Sequence, residues 1–188
     1  MEKIVFMIKK VISSGNSIYI CGNGGFASMS EHFSSELQKS LYNKRDISLE
    51  LSEKIRILSK LNGIEDFSKK MENGFPVSSL ASNLSTITAI SNDISFDMIF
   101  AQQIFNKAKE GDLIILLSSS GVSRNIINSA IISHIMKLKI ILITGNNEIG
   151  YRDIVDYIYR INSDKCHIIQ EKTLELIHKI YLKIQNYK

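Results

Sequence analysis

At 188 residues and 44% apolar content, the chain has the size for one domain with a sizeable core, and two domains are not expected. Its formal charge of +4 comes from Lys and Arg spread along the chain, without the basic block or interleaved aromatics of a nucleic-acid face. Cys21 and Cys166 are too few and too distant for a disulfide framework or a zinc ribbon, which points to two free thiols in a reducing compartment, the cytoplasm.

The first 15 residues carry a short apolar run before Lys9 and Lys10, which fails as a signal peptide and places Ile4, Ile8 and Val11 on one face of a helix. A strand is predicted at 18–21 and a helix at 27–38. Residues 39–76 then break the rhythm: the segment is polar and Lys-rich, with Leu51, Ile55, Leu58 and Leu61 at helical spacing, and it ends at the chain's only proline, Pro76. It reads as a helical excursion, a lid or an interface, within a single domain over 1–188. Beyond it come a strand at 77–81, helices at 84–91 and 98–109, a strand at 113–117, a helix at 123–135, strands at 140–144 and 157–161, and a last helix from about 168 to 184. No stretch approaches the roughly 18 apolar residues that a membrane span needs, so no membrane partner is expected. Near-continuous apolar strands alternating with helices imply an α/β fold: a three-layer, doubly wound, five-stranded parallel sheet flanked by helices. In such sheets ligands lie beyond the carboxyl ends of the strands.

Two strand-to-helix turns stand at that end. The first, C-G-N-G-G at 21–25, also satisfies G-x-G-x-x-A through Gly22, Gly24 and Ala27. A dinucleotide site further wants a second strand ending in an acid about twenty residues on; Asp46 is in range, but residues 40–45 make a poor buried strand. The second turn, S-S-S-G-V-S, gathers the hydroxyls of Ser118, Ser119, Ser120 and Ser123 and several N–H groups at a helix start, where an ordinary N-cap uses one serine. It lacks G-K-[ST], so it suits a phosphate monoester rather than a nucleoside triphosphate, and no nucleotide cofactor is expected.

His32 and Glu36 stand four apart on one face of the helix leaving the first turn, either as an exposed pair worth a few tenths of a kcal/mol or as a carboxylate base beside a ligand. Gln170 and His178 fall in the last helix, eight residues and about 12 Å apart if both are helical, so they reach one ligand only if the helix starts after Gln170 or if an oligomer is formed. His134 and His167 read as structural.

Together these residues resemble the sugar isomerase (SIS) fold, and within it the phosphoheptose isomerase family. The resemblance covers most of residues 15–186 and rests on C-G-N-G-G at 21–25, H-F-x-x-E at 32–36, S-N-D-x-x-F-D at 91–97, S-S-S-G-x-S at 118–123, T-G at 144–145, and I-Q-E at 169–171 followed by His178. It implies that Asn23, Gly24, Gly25, Asn92, Asp93 and Gln170 contact substrate, and that Ser118, Ser119, Ser120 and Ser123 hold its phosphate. Glu36 is implied as catalytic base, also touching substrate, and His178 as its acid or base partner. His32, Glu36, Gln170 and His178 match a site that holds one zinc ion per subunit in some members. The implied activity is aldose–ketose isomerisation of sedoheptulose 7-phosphate to D-glycero-D-manno-heptose 7-phosphate through an enediol. That product would feed lipopolysaccharide or capsule heptose, and the protein would be a homotetramer sharing active sites between subunits. The alternative is a non-catalytic SIS protein that binds a sugar phosphate or a protein partner.

The chain departs from the family at four positions: Phe26 replaces a phosphate-contacting Ser, Met29 an Asp, Ser40 an Arg, and Thr173 a second His. Its N-terminal helix is shorter and the excursion at 39–76 is additional. Phe26 is expected to add bulk beside the anion, and Ser40 to alter the charge balance.

Overall fold

The computed structural model describes residues 1–40 and 42–185. Residue 41 of the expected excursion and residues 186–188 of the expected domain therefore lie outside the described residues. Five parallel strands, β1 (Ile18–Gly22), β2 (Val77–Ser79), β3 (Leu113–Ser118), β4 (Lys139–Thr144) and β5 (Tyr157–Arg160), are ordered β2-β1-β3-β4-β5. Among the described residues seven α-helices accompany them: α1 (Glu2–Ser13), α2 (Gly25–Gln38), α3 (Leu49–Leu61), α4 (Leu84–Asp93), α5 (Ala101–Lys107), α6 (Arg124–Ile135) and α7 (Cys166–Ile184).

β1 and β3 are buried on both faces, and β4 is buried apart from Lys139, which is why these strands read as unbroken apolar runs. Alternate residues serve opposite layers. Ile18, Ile20, Ile115, Leu117, Ile141 and Ile143 pack with α1, α2 and α7, while Tyr19, Cys21, Ile114, Leu116, Ile140 and Leu142 pack with α5 and α6. The predicted α/β, doubly wound, five-stranded sheet is thus the observed architecture. Residues 42–46 form no strand, which leaves the first turn without the second half of a dinucleotide unit.

Several boundaries differ from expectation by a few residues, and side chains explain two of them. β2 stops at Ser79 because its hydroxyl accepts the Ala81 N–H and turns the chain. The helix expected at 98–109 becomes a short 3-10 turn, Phe96–Met98, followed by α5. Ser95 accepts the Asp97 N–H at the front, and Asp112 takes the Lys109 N–H beyond the end. α7 begins at Cys166 rather than near 168, so Gln170 and His178 are both helical.

The excursion contains α3, whose sole buried residue, Ser59, belongs to a helix that packs on the 3-10 turn Ser68–Lys70. Leu49, Leu58 and Leu61 remain exposed. Its base is held by Arg45, whose guanidinium donates to the carbonyls of Leu37 and Asn73 and lies over the Phe75 ring at 4.2 Å. Asn73 answers by donating its backbone N–H to the Arg45 carbonyl at 2.7 Å. No helix among the described residues is long and apolar enough to cross a membrane.

Candidate active site

The carboxyl ends of β1 and β3, paired in register up to Gly22 and Leu117, put the two small-residue turns side by side. In the first, Gly24 caps α2 with φ 54° and ψ −122°, a conformation that excludes side chains with a Cβ. Gly25 lets the end of the Gln170 side chain come close: a Cβ there would stand 2.7 Å from Gln170 Nε2 and push that carboxamide aside. Gln170 therefore rests on the first turn within the same chain.

In the second turn the serines divide their work. Ser118 Oγ is buried and accepts the Gly121 N–H at 3.0 Å, and Ser120 Oγ accepts the Val122 N–H at 3.3 Å, so these two hydroxyls shape the loop. Ser119 engages through its carbonyl, which accepts from Gly145 N–H at 3.1 Å. Ser123 caps α6 with extended backbone and makes no side-chain cap bond. Ser119 and Ser123 are both half-buried, and Ser123 stands at the start of α6, whose first N–H groups and positive end can receive an anion.

Phe26 does not fill this seat. Its ring is 4% exposed and joins the core layer with Phe33, Leu117 and Ile169, which corrects the expectation of bulk beside the anion. Thr173 is likewise drawn inward, its hydroxyl donating to the Ile169 carbonyl at 2.7 Å. Met29 packs partly buried against the same core. Ser40 accepts the Arg45 N–H, and that arginine is committed to backbone carbonyls, so it does not replace the family's Arg.

α2 and α7 lie together, with Gln170 against Gly25 and, about two turns on, His178 against His32. The Nε2 atoms of the two histidines are 3.0 Å apart and their rings meet edge-on at 78°, so one nitrogen must donate and the other accept. This contact joins residues 146 apart in sequence, and the spacing of α7 stands as expected: within one chain Gln170 and His178 meet different levels of α2 and do not reach one ligand. Glu36 follows His32 by one turn on the same face, is 8% exposed, and has an oxygen, Oε2, with no hydrogen-bond partner. A buried carboxylate oxygen without a partner costs stability unless a ligand uses it.

By donor type, two imidazoles and a neighbouring carboxylate suit zinc. Among the described residues, however, no three His, Cys, Asp or Glu side chains converge tightly enough to hold an ion as the chain stands. Asn92 and Asp93 are not gathered either: both are exposed at the end of α4, and the hydrogen bond they make is to each other, at 2.7 Å. His134 and His167 are exposed, and Cys21 and Cys166 are free. Burial pushes the Cys21 thiol pKa up, which makes it inert.

Several contributors escaped the sequence reading. Tyr151 donates its hydroxyl to the Gly121 carbonyl at 2.7 Å and clamps the serine turn from the far side. Burial holds that phenol at about 12, so it stays a donor throughout the physiological range. Arg160 ties the carbonyls of Gly145 and Asn147. Asn125, in the first turn of α6, pairs with Asn23. The available signal was Asn125, Ser129 and Ser133, polar residues recurring every four positions on one helix face.

A doubly wound sheet with a serine turn beside a glycine turn fits a SIS-domain protein by class, and residues 73–145, which include the serine turn, match the SIS domain family. The chain is 32% identical over 181 residues to the phosphoheptose isomerase of Shewanella frigidimarina, covering 95% of this chain and 78% of that protein. It is 30% identical over 185 residues to a probable phosphoheptose isomerase of Thermoplasma acidophilum, covering 96% and 86%. Its fold is similar to the phosphoheptose isomerase structure from Francisella tularensis, with a TM-score of 0.77 at 23% identity over 98% of this chain and 84% of that one. The chain belongs to the phosphoheptose isomerase family.

Proposed function

We propose that the protein is an aldose–ketose isomerase that converts sedoheptulose 7-phosphate to D-glycero-D-manno-heptose 7-phosphate. The observation that carries this reading is the buried, unpartnered carboxylate oxygen of Glu36, one turn from the His32–His178 contact on a helix that starts at the first turn. A proton-transfer carboxylate needs a free oxygen, and a structural one does not.

In this reading the phosphate sits on the N–H groups of α6 and the hydroxyls of the serine turn, supplying binding energy remote from the reacting carbons. Asn23, Gly24, Gly25 and Gln170 face the sugar chain. Glu36 takes the proton from the carbon beside the carbonyl to give the cis-enediol, and His178 moves a proton at the adjacent oxygen or carbon. The proposal includes zinc on His32, Glu36, Gln170 and His178 drawn from different subunits, since within one chain Gln170 and His178 meet different levels of α2; when bound it would polarise the sugar oxygens. It also includes a homotetramer in the cytoplasm, with Asn92 and Asp93 acting at sites shared between subunits. The tetramer is supported by α4, which buries none of its residues, and by the exposed Leu84, Ile94 and Phe96 around it. Native mass spectrometry is expected to find four chains with one zinc each, and a metal-free monomer would refute both additions. Glu36 and His178 together weigh against a non-catalytic binding role, which requires neither.

The deciding experiment is incubation with sedoheptulose 7-phosphate in deuterated water, followed by NMR. Aldose should accumulate with deuterium at the carbon next to the carbonyl, and His178→Ala should lower the rate by about 10²-fold or more. Binding without exchange would make the protein a phosphosugar-binding module instead.

A further inference from the structure

Asn125, the second residue of α6, is a 2%-exposed carboxamide between the two turns. Its Nδ2 donates to Asn23 Oδ1 and Asn23 Nδ2 donates to its Oδ1, both at 2.9 Å. The backbone of Asn125 is held in turn, since Ser129 Oγ donates to its carbonyl at 2.6 Å. A closed pair of this kind accepts no substitute: an apolar side chain leaves Asn23 unpaired, and an aspartate offers acceptors alone.

The pair also has directional consequences. Each carboxamide carries two N–H groups and two acceptor positions. Once paired, Asn23 keeps one N–H and one acceptor position, both on the side away from Asn125, for a ligand above the first turn. Since Asn125 stands on the helix whose N-terminus forms the phosphate seat, the bonds fix the distance between that seat and Asn23. We propose that Asn125 is a positioning residue: it holds Asn23 in register with the phosphate seat, so that an anchored sugar chain meets a preset hydrogen-bonding group. The inference rests on the isomerase reading and deepens it, since a preset distance selects the length of the sugar phosphate.

The test is steady-state kinetics on sedoheptulose 7-phosphate with Asn23→Ala, Asn125→Ala and the double variant. Each single change should raise KM about tenfold, the size of one net hydrogen bond, with kcat kept within about threefold. The double variant should be no worse than either single one, because Asn125 acts through Asn23. Asn125→Asp preserves volume and should raise KM at least as much, which keeps the test alive if the alanine variant fails to fold. Additive losses in the double variant, or a KM within about twofold of wild type for Asn125→Asp, would overturn the positioning role alone. A wild-type protein that does not turn over this sugar phosphate would instead overturn the isomerase reading, and the positioning role with it.

Discussion

Glu36→Gln is expected to lower kcat by about 10³-fold, within the range that a positioned acid–base group contributes. The substitution keeps side-chain volume and removes the carboxylate proposed to accept the carbon-bound proton. Glu36 is 8% exposed, with Oε2 unpartnered, so the loss cannot be ascribed to a broken structural bond at that oxygen. The melting temperature should stay within about 3 °C of wild type, as for a shape-conserving change. Deuterium exchange at the carbon beside the carbonyl should vanish together with turnover. A variant that keeps more than about a tenth of the wild-type rate would remove Glu36 from the proton path.

Gly145→Ala is expected to destabilise the fold by about 3 kcal/mol and to lower the melting temperature by about 8 °C. Gly145 follows β4, donates its N–H to the Ser119 carbonyl at 3.1 Å, and accepts from Arg160 through its own carbonyl. An added Cβ would stand 2.6 Å from Ile169 Cδ1, 2.7 Å from the Ser163 oxygen and 2.9 Å from the Ser119 oxygen. The terminal methyl of Ile169 can rotate away. The two backbone oxygens cannot, because they belong to the serine turn and to the loop that enters α7. Relief therefore requires those segments to part, which would loosen the phosphate seat and weaken substrate binding as well as stability. Urea unfolding alongside KM measurement checks both, and a stability loss below about 1 kcal/mol would show that the segments separate freely.

The sheet was legible because burial on both faces forces unbroken branched apolar runs, as in 113–117 and 140–144. Helix boundaries were less legible where side chains divert the backbone, as Ser95 and Asp112 do around α5. In the site, the glycines and serines of both turns were readable by residue type. The separate duties of the serines were not, because they depend on which hydroxyl meets Gly121 or Val122. Phe26 looked like an obstruction in one dimension and is part of the core in three, since the first turn of α2 directs it beneath the sheet ends.

The order of apolar runs and small-residue turns alone determined an α/β sheet with two strand-to-helix turns at its carboxyl edge, since hydrophobic periodicity and turn chemistry are local properties of the chain. The tertiary structure alone decided that His32 meets His178 across 146 residues, that Asn23 pairs with Asn125 across 102, and that Glu36 keeps an unpartnered oxygen. Those contacts arise when β1 pairs with β3 and α2 packs on α7, and such distances are set by packing rather than by residue spacing.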